Sequence, residues 1–143
     1  TAPLLSVTVQ AQSLLMLQWR MARKTTPLLP LTGATSLDTT GDAVPGDSYY
    51  GYTDGVHTVA VYGNNLKGRI KIQGTLATTP TEDDWFDILL AGLPYKDYDG
   101  FTGVDGFTFV ANLVYLRAKL DRTSLGITDY TTAGFVGKIY LNY

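Results

Sequence analysis

The stretch Gly68-Arg69-Ile70-Lys71-Ile72-Gln73-Gly74-Thr75-Leu76 constrains the fold more than any other part of the chain. Ile70, Ile72, Gly74 and Leu76 fall on one side of an extended backbone. Arg69, Lys71, Gln73 and Thr75 fall on the other. Alternation with a period of two is the mark of a half-buried β-strand. The strand runs into Thr78-Thr79-Pro80 and then Trp85-Phe86, read as an apolar anchor that plugs the end of a sheet or the gap between sheets. Thr81-Glu82-Asp83-Asp84 has the spacing of a capping box and opens a single helical turn.

Shorter runs of the same kind follow and precede it. Val56 to Tyr62 reads as a strand after the Asp54-Gly55 turn, and Gly63-Asn64-Asn65 as a turn that favours positive φ. Phe107 to Ala111, Val114 to Leu120 and Phe135 to Tyr143 read as further strands. Residues 24–48, with Pro27, Pro30 and Pro45, exclude central strands and read as a long connection. Residues 92–106, rich in Gly and Asp, also read as loop, and residues 121–134 as turns. Strand–turn–strand over 59–76 parallels strand–turn–strand over 107–120, with Arg69 and Lys71 matched by Arg117 and Lys119 on outward positions. Strands at this spacing without a long helix predict an all-β fold, an antiparallel β-sandwich with jelly-roll or immunoglobulin-like connections. A chain of 143 residues is long enough for one such core. Val59, Val61, Ile70, Ile72, Leu76, Trp85, Phe109, Val114, Leu116, Ile139 and Leu141 are its predicted members.

The charge is unevenly spread. Residues 1–35 carry Arg20, Arg23 and Lys24 and no acid, while residues 36–143 carry eight bases and thirteen acids. This divides the chain into an N-terminal arm with edge strands and linker, 1–35, and a sandwich body, 36–143. Within the arm Leu5, Val7, Val9 and Ala11 alternate with Ser6, Thr8, Gln10 and Gln12, and Leu15, Leu17 and Trp19 continue the apolar set. A helix over 11–23 is the other reading. The run Leu14-Leu15-Met16-Leu17 is too short to span a membrane and makes a poor signal peptide. Thr1 in place of Met fits initiator removal or proteolytic processing. The arm is expected to act as an attachment device, adding a strand to a neighbour's sheet edge. The competing expectation is that residues 5–19 form the first strands of their own sandwich.

Candidate chemistry is sparse. The chain has no cysteine, so neither a disulfide framework nor a thiolate metal site can form. His57 is the only histidine and reads as structural or exposed. Asp97-Tyr98-Asp99-Gly100 with Asp105 has acidic density but not the spacing of an EF-hand, and reads as a solvated turn. Arg69, Lys71, Arg117 and Lys119 would form a phosphate-binding stripe if their strands share a sheet, but the acidic body and the lack of an accompanying aromatic nucleic-acid motif favour a solvated sheet face. Tyr49, Tyr50, Tyr52, Tyr95 and Tyr98 suit a protein interface, or stacking on sugars. No catalytic, cofactor-binding or metal-binding residue is assigned. The interface candidates are Leu15, Leu17, Trp19, Arg20, Arg23, Lys24, Tyr49, Tyr50 and Tyr52.

Several of these stretches together resemble a group of small virion structural proteins of tailed bacteriophages. They are Asp54 to Val59, Leu66 to Leu76, Pro80, Asp84 to Ile88, Asn112-Leu113-Val114-Tyr115-Leu116-Arg117 and the closing Gly137 to Tyr143. The resemblance covers about residues 49–143. It implies a non-enzymatic β-sandwich without cofactor, located in the virion as a capsid decoration, neck or tail component. Its partners would be copies of itself and other virion proteins; the acidic body argues against nucleic acid, and no apolar run is long enough to span a membrane. The strand–turn–Trp pattern is also similar to discoidin-like carbohydrate-binding domains, which would imply a module attaching to a host-surface glycan.

Overall fold

The computed structural model describes residues 25–51 and 54–143. Eight strands follow in order: β1 (Thr25–Leu29), β2 (Thr39–Thr40), β3 (Val44–Pro45), β4 (Val56–Thr75), β5 (Phe86–Asp87), β6 (Lys96–Val110), β7 (Tyr115–Asp121) and β8 (Phe135–Asn142). All pair antiparallel in one sheet, ordered β1-β8-β4-β7-β2, with β3 also on β7 and β5 and β6 also on β4. The sheet is curled into a half-barrel. The chain is therefore all-β and antiparallel as its sequence predicts, and both walls of the core come from one sheet.

The curl originates in β4, whose 20 residues run through both walls. Its first part buries odd positions, His57, Val59 and Val61; its second buries even ones, Leu66, Gly68, Ile70, Ile72 and Gly74. The phase changes at Gly63-Asn64-Asn65, where the register to β6 and β8 shifts and Asn65 has φ 48°. An inserted residue bends a strand and moves its side chains to the other face. Here the bend compensates, so the apolar set stays inside around the corner. β6 changes phase at the same level, through Gly100 at φ 79°.

The segment read as a turn at 63–65 is thus a bulge within one strand. The segment read as a loop at 92–106 is largely strand. Both corrections have one cause: β4 and β6 pair from Val56↔Val110 to Ile70↔Lys96, and this long ladder outweighs the local preference of Gly and Asp for turns. Pro27, Pro30 and Pro45 do keep residues 25–48 out of the sheet centre, since β1, β2 and β3 lie only on its edges. Leu28 and Leu29 of β1 nevertheless enter the core. There β1 comes so close to β7 that a Cβ on Gly41 would sit 2.5 Å from the Leu28 carbonyl oxygen and 3.2 Å from that of Ala118.

Val59, Val61, Ile70, Ile72, Leu116, Ile139 and Leu141 are fully buried, as predicted. Four predicted core members differ. Leu76 lies just past the strand end, where the Thr75 hydroxyl accepts the Ala77 N–H, and is 66 % exposed. Val114 precedes β7 and is half-buried, while its neighbour Leu113 is buried. Trp85 is half-buried and Phe86 is exposed, so neither plugs the sheet end. The space over Gly74 is filled instead by Leu113 and Ile88, whose methyls would stand 2.8 and 3.2 Å from a Cβ there. The capping box at Thr81 forms as predicted: the Thr81 N–H donates to Asp84 Oδ2 at 2.6 Å and opens a 3₁₀ turn over Glu82–Asp84. Phe109 is half-buried against the core.

Candidate interaction surfaces

The outer face of the second part of β4 carries the basic residues singled out in the sequence, and they do share a sheet. Arg69 faces Asp121, Lys71 faces Lys119 and Gln73 faces Arg117 across β4 and β7. Arg69 Nε donates to Asp97 Oδ1 on β6 at 2.8 Å, and its guanidinium lies 3.8 Å over the Tyr95 ring. The Asp97 bond raises the Arg69 pKa. Arg117 donates from Nη1 and Nη2 to the two Glu82 oxygens at 3.0 Å each, from Nε to Gln73 Oε1 at 2.8 Å, and lies 4.4 Å over Trp85. Hydrogen bonding to Arg117, then its charge, lowers the Glu82 pKa. Gln73 in turn donates to Asp87 on β5.

Trp85 therefore serves as a cover for Arg117, which sits on an outward position and is still buried. Four bases on this face stand among four carboxylates, Asp97, Asp121, Glu82 and Asp87. Such a face lacks the excess of positive charge that a phosphate backbone selects. Tyr95 and Trp85 each have a guanidinium against one ring face, the position a stacked sugar would take.

A second surface surrounds the 3₁₀ turn Asp47–Tyr50. Asp47 is buried and accepts the Leu113 N–H at 2.9 Å, which ties the turn to the start of β7. Tyr49 and Tyr50 are 52 % and 41 % exposed. From them a chain of rings leads inward: Tyr49 contacts Tyr115 at 5.5 Å, Tyr50 stacks on Tyr143 at 5.8 Å, and Tyr143 leans on His57, which stacks on Phe109. His57 is fully buried. Its Nδ1 is 2.8 Å from the Gly55 carbonyl, an acceptor only, so Nδ1 carries a proton; Nε2 faces Asp47 Oδ1 at 3.7 Å. This is a structural role, one of the two roles its sequence context suggested.

The third surface is the far edge of β6. Among the described residues β6 pairs only with β4, so one side of a 15-residue strand is open. Gly100 and Gly103, at φ 79° and 136°, interrupt its first part. Val104–Val110 is regular, in unbroken register with Val56–Tyr62. Asp97, Asp99 and Asp105 are spread along this strand rather than gathered in a turn. Tyr98 is buried and its hydroxyl donates to Asp105 Oδ2 at 2.9 Å; burial first, and then this bond, push its pKa up. Among the described residues no group of three or more His, Asp or Glu side chains could hold a metal ion, and no helix is long and apolar enough to cross a membrane.

Sequence reading missed Arg122 entirely. It is fully buried behind β7, and all five guanidinium N–H groups donate to backbone carbonyls: Nε to Lys67, Nη1 to Gly33 and Ser36, Nη2 to Ala133 and Gly134. Burial lowers its pKa. Asp38 accepts the Arg122 N–H and the Thr123 hydroxyl, and the hydroxyl bond is the main cause of its lowered pKa.

Of the interface candidates, Tyr49 and Tyr50 are surface residues beside buried rings. Leu15, Leu17, Trp19, Arg20, Arg23, Lys24 and Tyr52 lie outside the described residues.

No family model matches this chain, and no curated protein does. The fold is similar to the crystal structure of the SPBc2 prophage-derived protein YomS, with TM-score 0.51 at 12 % identity, over 85 % of this chain and 91 % of that one. The likeness is one of all-β architecture across nearly the whole length of both chains.

Proposed function

We propose that this chain is a non-enzymatic structural protein of a bacteriophage particle, which associates with itself and with neighbouring particle proteins as a capsid decoration, neck or tail component. The observation that carries the reading is the fold shared with a prophage-derived protein over most of both chains. It is supported by surfaces suited to protein contacts: an exposed tyrosine pair and an open strand edge. The outer charged face, balanced in sign, suits orientation of a protein neighbour more than capture of a polyanion.

The test is to band phage particles on a density gradient and probe the fractions with antiserum against this chain, while purified chain is examined by sedimentation. Co-banding with particles and a discrete oligomer are expected. A protein found only outside the particles, monomeric and binding on a glycan array, would replace this reading with the carbohydrate-binding one.

A further inference from the structure

Sheet edges invite unwanted pairing, and proteins blunt them with short strands, prolines, bulges and lysines. Among the described residues these devices are used on every edge but one. β2, β3 and β5 are two residues long. β1 is five residues long and carries Pro27, with Pro30 just beyond. The first part of β6 is broken by Gly100 and Gly103. Val104-Asp105-Gly106-Phe107-Thr108-Phe109-Val110 has no proline, no lysine and no bulge; its one inward charge, Asp105, is held by the Tyr98 hydroxyl, and Val104 and Val110 are 58 % and 74 % exposed.

We propose that the edge of β6 over Asp105–Val110 receives Leu5–Ala11 of a second copy as an added antiparallel strand, with Thr8 opposite Thr108 and Leu5 just beyond Val110. The inference rests on the self-association proposed above and names its donor and acceptor.

Pattern, charge and topology each support this occupant. The seven residues Leu5-Ser6-Val7-Thr8-Val9-Gln10-Ala11 alternate apolar and polar. Added beside β6, their apolar set would cover the half-buried Phe107 and Phe109. Their polar set would extend an outer row that already runs Thr25, Asn142, Thr58, Thr108 across β1, β8, β4 and β6. That row is bonded through its side chains, Asn142 to Thr25 and Thr58 to Thr108, each at 3.0 Å.

Charge selects the direction. Arg20, Arg23 and Lys24 follow the donor segment, and the acids Asp97 and Asp99 lie at the start of β6, beside a concavity of about 320 Å³ lined by Lys67, Tyr98, Leu125 and Ile127. An antiparallel donor brings its basic end to this acidic end; a parallel donor would bring it to Val110, where β6 has no acid.

Topology selects the copy. The arm joins the body at Thr25, on the edge of the sheet opposite β6. Thr25 and Thr108 stand three strand spacings apart in the same row, roughly 14 Å along the sheet. An arm leaving β1 meets the β6 edge of an adjacent copy without crossing its own sheet. Because β1 runs antiparallel to β6, the donor keeps the direction of the strand it leads into. Donor and acceptor are different segments, so each copy gives one strand and receives one.

A chain without native cysteine allows a direct test. Full-length Thr8→Cys and Thr108→Cys proteins are mixed and oxidised, and the double variant is oxidised alone. A disulfide between the two single variants, and oligomer-sized cross-linked species from the double variant, are expected. Deleting residues 1–12 should leave the β-sheet circular dichroism signal and abolish the oligomer. A cross-link confined within single chains of the double variant overturns the proposal in favour of an arm folded on its own body. An oligomer that forms without either cross-link overturns the edge assignment and leaves self-association standing. A monomeric full-length chain overturns both.

Discussion

The two parts of β4 make an internal comparison: one strand, two walls, and the same kind of interior. Val59 and Val61 in the first part and Ile70 and Ile72 in the second are all fully buried. Their outer faces differ. The first part presents Thr58, Ala60 and Tyr62, beside Thr108, Tyr140 and Lys138, with hydroxyl and ring contacts and one cation over two tyrosines. The second presents Arg69, Lys71 and Gln73 in a dense set of ion pairs and amide bonds. The interior of a strand is set by burial, which any aliphatic residue of fitting volume satisfies. The exterior is where two stretches of equal foldability diverge, and the less charged one lies beside Val104–Val110 of β6.

What joins the two parts is the corner at Gly63-Asn64-Asn65, and the strongest predictions concern its supports. Replacing Arg122 with Met would remove five donors to carbonyls in three separate segments, 33–36, 67 and 133–134. The expected loss is at least about 3 kcal/mol in denaturant unfolding, the size reserved for breaking a buried polar network. Gly134→Ala should cost about 2–3 kcal/mol, because φ is +63° there and a Cβ would stand 2.2 and 2.3 Å from the Asn65 and Asn64 carbonyl oxygens. If either variant unfolds with unchanged midpoint, the corner does not hold the walls together.

Acid should distinguish the walls more mildly. Asp38, Glu82 and Asp129 have pKa values lowered by their hydrogen bonds. The unfolded chain therefore binds protons at a higher pH than the folded one, and their contribution is present above the ordinary carboxylate range and fades as pH falls through the folded values. Thermal melts should show a plateau near neutrality and a decline below about pH 4, set by the ordinary carboxylate range. Glu82→Gln should flatten part of that decline, and a Val59→Ala control should leave its shape unchanged.

The smallest effect has the opposite sign. Lys71 and Lys119 are directly opposite, an arrangement that is destabilising, and neither makes an ion pair among the described residues. Lys71→Glu should raise stability by about 0.2–1 kcal/mol, read as a small rise in melting temperature that salt diminishes.

The comparison also explains what could be read from the residues. Alternation located Val59, Val61, Ile70 and Ile72 correctly because burial on one face leaves a local trace. It could not separate a turn from a bulge at Gly63-Asn64-Asn65, since both reverse the phase of the side chains. What decides between them is the matching phase change at Gly100, on a strand more than thirty residues away. Gly and Asp hid β6 for the same reason: its strand character comes from pairing with β4, not from its own composition. Arg122 left no trace because a single arginine between a strand end and a turn has no period. Tyr49 and Tyr50 were legible as surface aromatics, whereas the burial of His57 required knowing that Phe109 and Tyr143 would enclose it.

Arg122 has one more consequence. A guanidinium keeps its proton under all ordinary conditions, and this one clamps residues 33–36, 67 and 133–134 around a point on β7. It works as a cross-link containing no sulfur and no metal. Reductants and chelators have nothing in it to attack, so its grip is the same in a reducing cell interior as in an oxidising exterior.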